Sequence, residues 1–141
     1  MKAISVPLKL INLQDDGFHL LVEVVVFKEK YFAVLDTGAS RSVFDKSLIE
    51  KHVSETLQVS DEINAATLFT TTTTIQATIP QLKIGALKIN NYETVAFDLQ
   101  SVSDTYQQFG HPPIMGIIGG DILMQYKAVI NYQKMILRLY R

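Results

Sequence analysis

The stretch "AVLDTGAS" (33–40) runs an apolar segment straight into a carboxylate, Asp36, followed by a threonine and a glycine. A lone charge in an apolar setting is costly unless it is paired, hydrogen-bonded or neutralised. An acid in this position is therefore either a solvated turn residue or a group whose proton takes part in chemistry. A second glycine element lies far downstream, Ile117-Ile118-Gly119, followed by Gly120 and Asp121. Other chemistries are poorly supplied. Ser40 and Ser42 lack a G-x-S-x-G setting, and His19, His52 and His111 show neither triad logic nor metal-ligand spacing. Gly116, Gly119 and Gly120 lack the lysine of a phosphate-binding loop. Neither a metal nor a cofactor is expected.

The elements that must hold these residues are mostly strands. "AISVPLKLINL" (3–13) partly alternates, and Pro7 suits an edge or a strand start. "QDDG" (14–17) reads as a turn, residues 18–27 as a second strand, "KEK" (28–30) as a polar connection and "YFAVLD" (31–36) as a third strand. "VFDKSLIEKHV" (43–53) carries Ser47 and Glu50 at capping-box spacing, which predicts a short helix. Further strands are expected through 56–98, with Gly85 and Asn90–Asn91 as turn candidates. "SVSDTYQQFG" (101–110) reads as a helix closed by a glycine. "IMGIIGGDILMQY" (114–126) reads as a strand and a short helix that Asp121 could cap. "KAVINYQKMILRLY" (127–140) reads as a closing hairpin. Tyr106, Phe109 and Met115 are assigned to core or interface packing rather than to a cleft.

With 141 residues, 48% hydrophobic and 19% charged, the chain is expected to form one domain over 1–141. Thirteen basic residues against fourteen acidic ones give a net charge of −1, which argues against nucleic acid as a partner. Cysteine is absent, so disulfides and thiolate metal sites are excluded. The longest apolar stretch, "FHLLVEVVVF" (18–27), is short and interrupted by His19 and Glu23, so no membrane span is expected. With no leader pattern in "MKAISVPLKLINLQDDG", a cytoplasmic location is the expectation.

A strand ending in Asp36-Thr37-Gly38, a short helix after it, and the later Ile117-Ile118-Gly119 with its own helix together resemble the retropepsin-like, single-domain aspartic proteases. The resemblance runs from about residue 18 to the end of the chain. It implies a mostly β fold, a closed retropepsin-like barrel with one or two short helices. It also implies that Asp36 is the catalytic carboxylate, that Thr37 hydrogen-bonds across the site to its counterpart, and that Gly38 lets the backbone approach carboxylate and substrate. Ala39, Ser40, Ile117, Ile118 and Gly119 would support the loop from beside and below. A flap hairpin is expected around 64–74, where Leu68, Phe69, Thr70 and Thr71 would meet a polypeptide substrate by strand addition.

Hydrolysis by this route needs two carboxylates sharing one proton, one activating water while the other polarises the carbonyl. The sequence holds a single D-T-G, so the second Asp36 must come from an identical subunit across a two-fold axis. A homodimer acting on polypeptides is the expectation, and a binding module of the same fold is the alternative. Three features depart from the retroviral pattern, the first being that the flap region 64–74, "NAATLFTTTTT", contains no glycine. Ser40 and Gly120 stand where retroviral enzymes carry an Asp and an Arg that pair near the subunit interface. Residues 98–113 resemble a helical excursion of bacterial relatives.

Overall fold

The computed structural model describes residues 2–14, 17–53, 58–64 and 73–141. Ten strands and three helices follow one another along them. They are β1 Ala3–Asn12, β2 Phe18–Val26, β3 Glu29–Leu35, β4 Val43–Asp45, α1 Lys46–Val53, β5 Gln58–Asn64, β6 Thr73–Ile84, β7 Leu87–Phe97, α2 Gln100–Gln108, β8 Ile114–Ile118, α3 Gly120–Gln125, β9 Val129–Asn131 and β10 Ile136–Tyr140. The strands join in the order β5-β6-β7-β4-β8-β3-β2-β1-β10-β9, and a further pairing of β6 with β2 closes the six strands β6-β7-β4-β8-β3-β2 into a barrel. Closure removes the free edges those strands would otherwise present.

Period-two patterning explains the barrel interior. Along β2, Leu20, Val22, Val24 and Val26 share one face. They pack with Ala33 and Leu35 of β3, Phe44 of β4, Ile79 and Leu82 of β6, and Ile118 of β8. The opposite face of β2 and β3 is apolar as well. There Leu21, Phe32 and Val34 meet Ile11, Leu13 and Ile114, and α2 covers them with Val102 and Tyr106. The segment around 98–113 thus builds a second core on the outside of the barrel wall, beside the strand that leads to Asp36.

Strand β1 serves two partners. Residues 3–7 pair with β10 and residues 8–12 with β2. Pro7, which has no N–H to give a ladder, sits at the changeover. The pairing of the first and last strands is extended by backbone bonds from Lys2 N–H to Arg141 O at 2.8 Å and from Arg141 N–H to Lys2 O at 3.1 Å.

Several local expectations are corrected. The β2–β3 connection is a two-residue turn at Phe27 and Lys28, both with positive φ (52° and 66°), rather than a three-residue "KEK" loop. Tertiary pairing on both sides imposes the left-handed backbone there without the usual glycine or asparagine. Asn90 and Asn91 lie inside β7 and not in a turn; the turn is at Gly85, between β6 and β7. Helix α1 begins before Ser47, and Asp45 is its cap, accepting from Leu48 N–H at 3.3 Å and from the Ser47 hydroxyl. Glu50, free of any capping role, pairs loosely with Lys46 instead, at 3.8 Å. Helix α2 closes as expected: Gly110 takes φ +79°, its N–H reaches Gln107 O, and His111 N–H reaches Tyr106 O.

Asp45 also accepts from Leu99 N–H at 2.9 Å, tying the start of α2 to the end of β4. It is 6% exposed, so its loss strands two backbone donors in the interior. Asp45→Ala is expected to cost about 2–3 kcal/mol in urea unfolding. Asp45→Asn, which keeps one acceptor oxygen, should cost less.

Candidate functional site

Strand β3 delivers the loop. It runs parallel to β8, with Val34 beside Ile117 and Leu35 beside Ile118. Asp36 N–H then donates to Ile118 O at 2.9 Å, so the β8 strand holds the first loop residue as it holds the strand. The chain turns at once: Gly38 N–H donates to Asp36 Oδ1 at 2.9 Å, and Ala39 N–H to Asp36 O at 3.2 Å. Asp36, Thr37, Gly38 and Ser40 are exposed, while Ala39 is half-buried. The carboxylate therefore stands in the open directly after the buried Leu35 of β3, with one oxygen oriented by a backbone amide. A carboxylate held this way keeps its second oxygen free to accept or carry a proton.

Gly119 closes the loop from below. A Cβ there would lie 2.7 Å from Ala39 O and 2.9 Å from Arg41 O, so the position excludes any side chain. That close approach lets Gly120 N–H donate to Ala39 O at 2.6 Å. The structure thus brings Asp36, Thr37, Gly38, Ala39, Ser40, Ile117, Ile118 and Gly119 together, with the buried Ile118 rooting the group in the barrel core. The expected flap contacts Leu68, Phe69, Thr70 and Thr71 lie outside the described residues.

A second layer holds this arrangement, and sequence reasoning missed its role. Asp121 does not cap α3; Gly119 occupies that position and no side chain caps it. Instead Asp121 Oδ1 accepts from the Ser42 N–H at 2.8 Å and the Ser42 hydroxyl at 2.7 Å, while Oδ2 accepts from the Tyr92 hydroxyl at 2.7 Å. Ser42 Oγ in turn accepts from Gly119 N–H at 2.8 Å. One carboxylate thereby joins the end of the Asp36 loop, the start of α3 and the middle of β7. Burial raises the Asp121 carboxyl, but the hydrogen bonds from Ser42, Tyr92 and the backbone outweigh it and leave it below its ordinary value. Burial, with Asp121 beside it, pushes the Tyr92 phenol well up, so it stays a donor. A faint signal existed in the sequence: Ser42 and Asp121 are each the last polar residue before an apolar run, "VF" and "IL".

The three histidines all have local partners. His19 Nδ1 lies 2.6 Å from the Tyr106 hydroxyl, His52 stacks on Phe27, and His111 Nε2 lies 3.1 Å from Asn12 O. Among the described residues, no group of three or more His, Asp or Glu is placed to hold a metal ion, and no helix is long and apolar enough to cross a membrane.

Two outcomes are expected of the Asp121 network. Asp121→Ala should cost about 2–3 kcal/mol in urea unfolding, since it orphans the Ser42 and Tyr92 donors. A carboxyl depressed on folding contributes stability above its unfolded pKa and loses it as pH falls through the folded value. The stability gap between the wild-type chain and Asp121→Asn should therefore hold at neutral pH and shrink below about pH 4. Denaturation curves measured from pH 7 to pH 3 check both.

No curated protein matches the chain. Among solved structures, a retropepsin-like aspartic protease from Rickettsia conorii aligns with a TM-score of 0.60 over 99% of this chain and 91% of its own, at 17% identity. The retroviral protease-like domain of Ddi1 from Leishmania major aligns with a TM-score of 0.57 over 86% of this chain and 87% of its own, at 16% identity. At such identity the likeness carries the fold, a retropepsin-like barrel. The family described as aspartyl protease matches residues 22–122, a span that includes both Asp36-Thr37-Gly38 and Ile117-Ile118-Gly119. The chain belongs to the aspartyl protease family.

Proposed function

We propose that the protein is an aspartic endopeptidase whose active site forms when two copies bring their Asp36 carboxylates together across a two-fold axis. The observation that carries this reading is the exposed Asp36, oriented by Gly38 N–H directly after the buried Leu35 of β3 and offered once per chain. Two such carboxylates a few ångströms apart cannot both ionise cheaply, so they share a proton. The ionised partner takes a proton from water as that water attacks the scissile carbonyl. The protonated one donates to the carbonyl oxygen, and no metal or covalent intermediate is required. Thr37 orients each carboxylate, and an extended polypeptide is the substrate, with apolar side chains preferred. The catalytic residue is Asp36; the flap residues 68–71 would cover the bound chain.

A second reading is a peptide-binding module of the same fold. It is favoured by Ser40 and Gly120, neutral where a retroviral interface carries an ion pair. Losing both charges together leaves neither unpaired, so it is compatible with a dimer held by other contacts.

Cleavage of a diverse peptide library, followed by mass spectrometry from acidic to neutral pH at high protein concentration, separates the two. The protease reading expects Asp36→Asn to lower the rate by about 10²–10⁴-fold while leaving the fold intact. It also expects the rate to rise faster than linearly with enzyme concentration where dimers dissociate. Adding folded Asp36→Asn chain to a fixed amount of wild type should inhibit, because mixed dimers hold only one working carboxylate. Cleavage that persists unchanged in the variant, or none by well-folded protein, would sink it.

A further inference from the structure

The face of β2 and β3 that α2 covers ends at the candidate site. Leu21 stands opposite Val34 in the antiparallel register. That is the last pair of the ladder; His19 lies two residues beyond it on β2 and Asp36 two residues beyond it, just past β3, so both stand at the same end of this face. Helix α2 lies against this face, and Tyr106 packs there with Leu21, Ile114 and Val34. Tyr106 is 4% exposed, so its hydroxyl needs a partner, and that partner is His19. The two rings meet edge-on, 5.8 Å between centroids at 68°. Burial raises the Tyr106 phenol, and the charge of Asp36 raises it further, which puts phenol and carboxylate within each other's field. The hydrogen bond between the phenol and Nδ1 engages that ring nitrogen and leaves Nε2 as the free polar atom of the imidazole. His19 is itself only half-buried.

The helix is not free to drift. Ser103 Oγ accepts from Ile114 N–H at 3.0 Å, pinning α2 to the first residue of β8. Asp45 holds its start, and His111 Nε2, just past its end, lies 3.1 Å from Asn12 O. The ring of Tyr106 is therefore fixed relative to the two strands that carry Asp36 and Ile117-Ile118-Gly119. A half-buried imidazole whose Nδ1 is engaged presents Nε2 in a fixed orientation, and extended peptide backbone supplies hydrogen-bonding partners at every residue.

We propose that Tyr106 is a positioning residue that orients His19 so that its Nε2 hydrogen-bonds to the backbone of a polypeptide bound at Asp36, with α2 setting one wall of the cleft. The inference rests on Asp36 being the catalytic carboxylate. It assigns the 98–113 segment a part in substrate binding as well as in covering apolar surface.

The test uses the full chain with Tyr106→Phe, His19→Leu, His19→Gln and the Tyr106→Phe/His19→Leu pair, on whichever library peptide the wild type cleaves. Loss of one oriented hydrogen bond should raise KM by about 5–10-fold in Tyr106→Phe and His19→Leu, with kcat changed by less than about twofold. The double variant should be no worse than His19→Leu alone, because Tyr106 acts through His19. His19→Gln, which keeps a donor, should recover most of the loss. Additive effects, or an unchanged KM in folded variants, overturn the proposal and leave the pair as core packing. Imidazole nitrogen resonances supply a readout independent of turnover: those of His19 should move in both Tyr106→Phe and Asp36→Asn. Indifference to Asp36→Asn places the pair away from the carboxylate and also overturns it. A wild type that cleaves nothing sinks the protease reading. The His19 resonances on adding the same apolar peptides then decide this inference, and unmoved resonances refute it.

Discussion

The Asp121 carboxylate is the joint on which the candidate site rests. Its two oxygens gather three donors from two distant parts of the chain, Ser42 beside the Asp36 loop and Tyr92 on β7. Ser42 passes the restraint on by accepting from Gly119 N–H. Charged acceptors make stronger hydrogen bonds than neutral ones, and here all three donors are neutral and partly or fully buried. The loop bearing Asp36 is exposed and short, the kind of segment that moves when nothing holds it. Anchoring its base to a half-buried ionic acceptor allows the tip to be open without being loose. Preorganisation of this sort is what a reacting carboxylate needs, since reorientation at the moment of reaction adds to the barrier.

The barrel supplies the rest of the geometry through backbone alone. Parallel pairing of β3 with β8 puts Asp36 next to Ile118 O, and the missing side chain at Gly119 lets Ala39 O and Arg41 O come within contact distance. The two glycine elements are thus two halves of one close backbone approach. Each would be unremarkable without the other. Helix α2 adds a wall on one side of this centre and buries apolar residues that the bare barrel would leave wet.

Much of this was legible from local pattern. Whereas the closed barrel was implied only by the resemblance to retropepsin-like proteases, the Val- and Leu-rich run at 18–27, the apolar run 31–36 into Asp36, and Ile117-Ile118-Gly119 announce strands and a glycine loop because their causes are local. The closure of α2 at Gly110 was legible for the same reason. What stayed hidden were the polar partners. Ser42 and Asp121 are far apart in the chain, as are His19 and Tyr106, and a hydroxyl or carboxylate does not announce its partner from its neighbours. Asp121 looked like a helix cap because an acid at a helix start ordinarily is one; the buried donors of Ser42 and Tyr92 competed for it and won. The Phe27–Lys28 turn was hidden for a different reason, since strand pairing on both sides overrode the residue preferences of a tight turn.

The pairing of β1 with β10 bears on how such a chain would live in a cell. Obligate dimers that weave their end strands together have no stable folded monomer, so folding and association are one event. Here the end strands satisfy each other within a single copy, down to the reciprocal backbone bonds of Lys2 and Arg141. Folding can be completed before any encounter. If two copies assemble as proposed, their association would be a separate equilibrium governed by local abundance, and a hydrolase assembled this way would be silent when scarce and switched on by crowding of its own copies.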